Sequence, residues 1–173
     1  MGSVTFAGFA NVYRPSPPWP RRVGKIVDIG TKADVHRRAV ASGVVRLKPG
    51  TVRAIRSGRV EKGDVVAAAE IAALQAMKVV WQVLPHTHQI PITAASVTFD
   101  VRADRVVVTT TVEATYKTGV EMEALYGVTV ALLTIWDMVK SLEKDPKGQY
   151  PSATIESVRV VAKEKATDRG GRP

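Results

Sequence analysis

The chain is expected to fold as one α+β domain, a ferredoxin-like βαββαβ arrangement with an antiparallel sheet and two helices on one of its faces. Three observations carry that expectation. A length of 173 residues, 45% of them hydrophobic and 24% charged, suits a single globular domain with a real core. Segments rich in β-branched residues interleave with two long apolar runs. Their order is strand, helix, strand, strand, helix, strand, the split βαβ pattern.

Each element has its own local reason. Residues 35–48, VHRRAVASGVVRLK, read as an extended segment interrupted at Gly43, where a bulge or bend is expected. A short helical turn over TVRAIRSG ends at Gly58. The run KGDVVAAAEIAALQAMKVVWQVL has Asp64 as N-cap and is expected to stay helical until Pro85. In SVTFDVR, Val97, Phe99 and Val101 share one face, with Thr98 and Asp100 on the other. VVVTTTVEA follows after ADR, a connection short enough for a hairpin. The second helix is expected from just after Gly119 to Lys140, and TIESVRVVAK closes the sheet.

The ends differ from this body. Residues 1–24 are expected to be a flexible extension, because RPSPPWP sets four prolines within Arg14 to Pro20. Residues 25–165 form the expected domain, and residues 166–173, with the closing TDRGGRP, a disordered tail.

Both helices are apolar nearly all the way round. Ala67, Ala68, Ala69, Ala72, Ala73 and Ala76 cannot all face one sheet at helical spacing. The bulky ALYGVTVALLTIW also lacks a polar stripe, so a homo-oligomer that covers both helices is expected.

Composition excludes several classes. With no cysteine, disulfides, thiolate metal sites and a cysteine nucleophile are absent. The formal net charge of +9 invites a nucleic-acid reading. Much of it sits at the ends: Arg14, Arg21, Arg22 and Lys25 are met by no acid in residues 1–25. A basic RNA-binding module would also need aromatics on the sheet, and the two central strands offer only Phe99. No span is expected to cross a bilayer, and the opening lacks the pattern of a signal peptide. A cytoplasmic protein that binds neither nucleic acid nor membrane is the expectation.

The charged positions around the apolar runs are the candidates for chemistry. Asp137 and Lys140, three apart, share a helix face and can pair. Glu121 and Glu123 fall in the first turn of that helix, where carboxylates meet the positive end of its dipole. His86 and His88 lie between Pro85 and Pro91, in a segment held extended. One exposed histidine serves better as an acid or base than as a ligand without a nearby third partner, so no metal site is expected. Lys62 opens KGD before the first helix and matters only if its loop closes on Lys140. No phosphate-cradling glycine loop is present, so an anion site must be built from dispersed side chains.

Five separated stretches, IVDIGTKADVHRRAVASG, KGDVVAAAEIAALQAMK, LPHTHQIPIT, KTGVEMEAL and ALLTIWDMVK, together resemble the motifs of the MoaC family. Members of that family are the cyclic pyranopterin monophosphate synthases of molybdenum cofactor biosynthesis. The likeness runs from about Lys25 to Lys163, and KTGVEMEAL with TIWDMVK is its most specific part. It implies a ferredoxin-like subunit, a hexamer assembled as a trimer of dimers, and active sites at subunit contacts. It implies that 3′,8-cyclo-7,8-dihydro-GTP is converted to cyclic pyranopterin monophosphate with release of pyrophosphate, without a redox cofactor. Mg²⁺ accompanying the phosphates stays an open alternative.

By the same resemblance, Lys62 and Lys140 fall on the catalytic lysines and Asp137 on the active-site aspartate. His88 falls on the histidine of the proline-rich loop, flanked by His86 and Thr87. Glu121, Met122 and Glu123 fall on the EME segment, and Arg37, Lys78, Lys117 and Lys163 on basic positions of the substrate pocket. Adjacent cations are expected to lower a lysine pKa towards neutrality. The chain departs from the family at Thr87-His88-Gln89, where a Cys-His-Pro triplet is usual, and at His86, where an aliphatic residue is. It departs also at Tyr116, and at KDPKGQYPSA, which enlarges the connection before the last strand. A catalytically inactive assembly partner is the remaining alternative.

Overall fold

A computed structural model describes residues 24–166. The flexible extension and the disordered tail expected at the two ends therefore lie, apart from Gly24 and Ala166, outside the described residues. The elements are β1 (Val35–Arg46), α1 (Pro49–Arg56), α2 (Val65–Lys78), α3 (Val80–Val83), β2 (Ala94–Val101), β3 (Arg105–Tyr116), α4 (Glu121–Glu143) and β4 (Thr154–Lys165). The four strands form one sheet in the order β2-β3-β1-β4, with every neighbouring pair antiparallel. This is the expected ferredoxin-like α+β arrangement.

The alternation of β3 fixes its orientation. Val106, Val108, Thr110, Val112 and Ala114 are all buried, while the residues between them are half-buried. The buried set meets α4, where the Thr110 hydroxyl donates to the Ala124 carbonyl at 2.8 Å. From β1 the core receives Ala39, Ala41 and Val45, and from α4 Val128, Ala131, Leu132 and Ile135. On β2, Val97, Phe99 and Val101 pack against this core while Thr98 and Asp100 are exposed. The β2–β3 hairpin closes by the Arg102 N–H donating to the Arg105 carbonyl at 2.8 Å.

Two glycines admit close packing. A Cβ at Gly43 would lie 2.7 Å from Leu132 Cδ1 and 2.8 Å from Val128 Cγ1. Gly43 pairs with Val108 in an unbroken β1–β3 register. The irregularity expected at Gly43 falls on its other edge, in the pairing with β4 between Ser42 and Val44, where Ser157 opposite has a φ of 56°. The glycine is there because a helix presses on the strand. Gly127 does the same between helices, since a Cβ there would lie 2.5 Å from Met77 Cε on α2.

The helices differ from expectation at their C-terminal ends. Asp64 caps α2 as expected, its carboxylate accepting the N–H groups of Val66 and Ala67 at 3.0 Å. The helix stops at Lys78, not at Pro85. Val79 leaves helical geometry at φ −119° and ψ 14°, and one further turn, α3, follows with Val80 buried. The β-branched Val79-Val80 pair is stiff at χ1 and favours such a break. At the other helix, α4 runs one turn past Lys140 to Glu143, whose buried carboxylate accepts the Lys48 N–H at 2.9 Å.

Contrary to the sequence expectation, α4 is by length and composition long and apolar enough to cross a membrane. About half of its apolar stretch is buried inside the protein, against α2, β1 and β3. Its apolarity is that of a core helix. Ile71 and Leu133 remain more than half exposed on α2 and α4, with Trp81 and Val83 exposed just beyond.

Candidate active site

Two groups of functional side chains stand at opposite ends of α4. The first is at its C-terminal part, where Asp137 takes a lysine on each carboxylate oxygen. Lys62 Nζ donates to Oδ2 and Lys140 Nζ to Oδ1, both at 2.7 Å. Lys62 also donates to the Asp137 main-chain carbonyl at 3.0 Å. The loop with Gly63 at φ +98° returns the chain between Lys62 and the Asp64 cap, so the loop closes on Lys140 as the reading of Lys62 required.

All three side chains are about half exposed, so the cluster is open to a ligand. Hydrogen bonds from Lys140 first, then Lys62, hold the Asp137 carboxyl down to about 2. The same bond to Asp137 raises the Lys140 ammonium above its ordinary range. The expectation that neighbouring cations would lower this lysine is therefore not met in the described structure. Its nearest charge is a carboxylate, not the other ammonium.

The second group surrounds a cavity of about 330 Å³ at the N-terminal end of α4. His86, Thr87 and His88 line one side, and Met122 and Glu123 another. Residues Val27, Ile29 and Lys32 of the segment before β1 complete it. The histidine loop is fixed by local bonds: Thr87 Oγ1 donates to the Leu84 carbonyl at 2.8 Å, and His88 Nε2 bonds the Val27 carbonyl at 2.8 Å. Lys117 Nζ donates to the Gly30 carbonyl at 2.8 Å, which ties the same segment down.

Glu123 is the chemically distinct member of this group. Only 3% of its surface is exposed, and its Oε2 has no hydrogen-bond partner among the described residues. Burial, with the Glu121 charge adding to it, pushes its carboxyl up to about 7, so it exchanges a proton near neutrality. Glu121, two residues earlier, is different. Burial alone would raise it, but the ion pair with Lys163 carries it below its ordinary range, with Arg37 contributing. Two carboxylates in one helical turn thus hold opposite protonation tendencies.

The remaining expected residues divide. Arg37 donates to the carbonyls of Tyr116 at 2.9 Å and Lys117 at 3.3 Å, so its guanidinium braces the backbone before α4. Lys78 stands apart from both groups, in a groove with Ala72, Tyr126 and Val130 between α2 and α4. Along α4, Glu123 and Asp137 are separated by about 21 Å at about 1.5 Å per residue. One chain therefore does not gather all the expected residues. Reasoning from sequence missed Lys32, although it lies in the IVDIGTK stretch, and it missed the Val27 and Ile29 wall, which only tertiary contact reveals.

Among the described residues, no three His, Asp or Glu side chains form a group able to hold a metal ion. Among the described residues, the sheet aromatics Phe99 and Tyr116 both pack against the core.

Comparison with known proteins agrees with this architecture. Residues 26–166 match the model of the MoaC family. A protein of Pyrococcus furiosus named "probable cyclic pyranopterin monophosphate synthase" is 56% identical over 139 residues, 80% of this chain and 89% of its own length. One of Pyrococcus horikoshii with the same name is 57% identical over 141 residues, 82% of this chain and 89% of its own. One of Methanothermobacter thermautotrophicus, 50% identical over 141 residues that cover 82% of this chain and 89% of its own length, is named "probable cyclic pyranopterin monophosphate synthase accessory protein". With the fold, the paired lysines and the histidine loop in place, the chain belongs to the MoaC family.

Proposed function

We propose that the chain is a cyclic pyranopterin monophosphate synthase of molybdenum cofactor biosynthesis, a lyase that converts 3′,8-cyclo-7,8-dihydro-GTP to cyclic pyranopterin monophosphate and releases pyrophosphate. The observation that carries this reading is the shared carboxylate: Asp137 holds both Lys62 and Lys140 at 2.7 Å in an open cluster. Two ammonium groups on one carboxylate leave a net positive site, suited to an anionic substrate and to protons moved in several steps. The names of the relatives supply the product, cyclic pyranopterin monophosphate, and support this reading.

The residues divide the work. Lys140, held protonated by Asp137, begins as a proton donor, and Lys62, held on the other carboxylate oxygen, takes part in the return transfer. Asp137 orients both. Glu123 and His88 face the base-derived part of the substrate, with Glu123 able to give or take a proton near neutrality. His86, Thr87, Met122 and Glu121 shape that cavity and its rim. Lys117, Lys163, Lys78 and Arg37 supply positive charge around the triphosphate, Arg37 chiefly by fixing the backbone that presents Lys117. Opening the purine five-membered ring, closing the pyrazine ring and cyclising the phosphate need no change of oxidation state, so no redox cofactor is called for.

The two groups at the ends of α4 work together only if chains associate. Exposed Ile71, Trp81, Val83 and Leu133 support a homo-oligomer. In the proposed hexamer, a trimer of dimers, the cavity of one chain would meet the lysine cluster of another. The retained lysine pair and histidine loop favour an active enzyme over an accessory partner. Incubation of the purified protein with the cyclic dihydro-GTP is expected to yield pyrophosphate and the pterin product. Lys62→Ala and Lys140→Ala are each expected to abolish turnover at unchanged oligomer size. A folded oligomer without turnover sinks the proposal.

A further inference from the structure

The KDPKGQYPSA connection between α4 and β4 is a built turn. At its start, Lys48 Nζ donates to the carbonyls of Leu142 at 3.2 Å and Lys144 at 3.1 Å. Asp145 organises the rest of the turn. Its Oδ1 accepts the N–H groups of Lys147 and Gln149, each at 2.8 Å. Its own N–H donates to the Gln149 carbonyl at 2.9 Å, and its carbonyl accepts the Gly148 N–H at 2.9 Å, with Gly148 in the left-handed region at φ 76°. So much bonding in so few residues fixes where the next side chain goes.

That side chain is Tyr150. It is half-buried, and its ring lies 5.8 Å from the Trp136 ring with the planes tilted by 58°. Trp136 immediately precedes Asp137, and Lys140 lies one turn further on the same side of α4, where side chains four apart meet. The turn thus brings an aromatic wall up to the helix face that carries the lysine cluster. Tyr150 thus stands close enough to add to the field at the Lys140 ammonium, where Asp137 dominates.

We propose that Tyr150 is a positioning residue for Lys140: its ring, clamped between the Asp145 turn and Trp136, narrows the space open to the lysine stem and keeps the ammonium on Asp137. This rests on the reading of Lys140 as the proton donor, and it adds a residue outside the lysine–carboxylate cluster. A long unbranched side chain gains most from such confinement, because its alternative rotamers leave the reacting geometry. The ring, not the hydroxyl, performs this task.

The experiment compares Tyr150→Ala and Tyr150→Phe with the parent protein by two readouts. In the turnover assay, Tyr150→Ala is expected to lower kcat by about tenfold or more with little change in KM, and Tyr150→Phe to restore it. In limited acetylation with acetic anhydride, read by peptide mass spectrometry against exposed Lys144, Lys140 is expected to label several-fold faster in Tyr150→Ala and at the parent rate in Tyr150→Phe. Asp145→Ala, which loosens the turn and keeps the ring, moves both readouts in the direction of Tyr150→Ala and replaces it if that variant aggregates. Parent-like labelling of Lys140 in a folded Tyr150→Ala protein overturns the inference, as does a Tyr150→Phe protein as impaired as Tyr150→Ala. Altered labelling without turnover in the parent supports the positioning role and rejects the synthase.

Discussion

At the scale of single residues, Glu123 shows how burial creates chemistry. Its place in the first turn of α4 is explained by the helix dipole, and a dipole alone would favour the charged form. Burial wins, because an unpaired carboxylate oxygen inside protein costs more than the dipole returns. Folded, the group holds its proton up to about 7, against 4.5 in the unfolded chain. Between those values the folded state binds more protons, so stability falls as pH rises through that window and is level above it. At about 1.4 kcal/mol per pKa unit the total is about 3 kcal/mol. Glu123→Gln removes this dependence. Thermal melts are expected to show the variant gaining on the parent from about pH 4.5 to about pH 7, and a gap independent of pH contradicts the buried, protonated carboxyl.

Residues also show where sequence reasoning ran out. The pairing of Asp137 with Lys140 was legible from a spacing of three, and Lys62 followed once its loop was seen to close. Arg37 was not legible in the same way. A guanidinium in a basic motif reads as a phosphate ligand, yet here two carbonyls of the chain before α4 take its donors. Glu143 lies beyond the expected end of the second helix, and tertiary packing buries it on the Lys48 N–H. Sequence spacing reports neighbours along a helix and says nothing of the backbone that folds over them.

At the scale of elements, alternation was the most reliable signal. On β3 from Val106 to Ala114, and on β2 from Val97 to Val101, every second residue turned inward as the period of two requires. Gly43 was ambiguous, because a glycine within a strand marks either a bulge or a close approach. The structure shows both: the β1–β4 register shifts there, and α4 lies so near that a methyl group at Gly43 would meet Leu132 and Val128 well inside contact distance. Gly43→Ala is therefore expected to destabilise the fold by about 1–3 kcal/mol, the usual cost of overpacking a filled core. For a domain of this size that lowers the Tm by several degrees. An unchanged melt would mean that the helix yields freely at this crossing.

At the scale of the whole molecule, the decisive fact is the length of α4. The buried glutamate and the histidine loop are at one end and the lysine cluster is at the other, about 21 Å away. Motifs alone could not show this, since a sequence match brings residues into one list without saying which chain supplies each. If a working site joins the cavity of one chain to the lysines of its neighbour, then defects at the two ends must complement each other. His88→Ala and Lys140→Ala are each expected to be inactive alone. Co-expressed with different tags and purified through both, the mixed oligomer is expected to regain turnover, because some sites pair an intact cavity with an intact cluster. Random assortment of equal amounts makes that about a quarter of the sites. If both ends instead served one site within a single chain, every chain in the mixture would carry a defect and activity would stay at the level of the single variants. Mixed oligomers with no recovered turnover would therefore place the complete site within one chain and remove the shared-site mechanism.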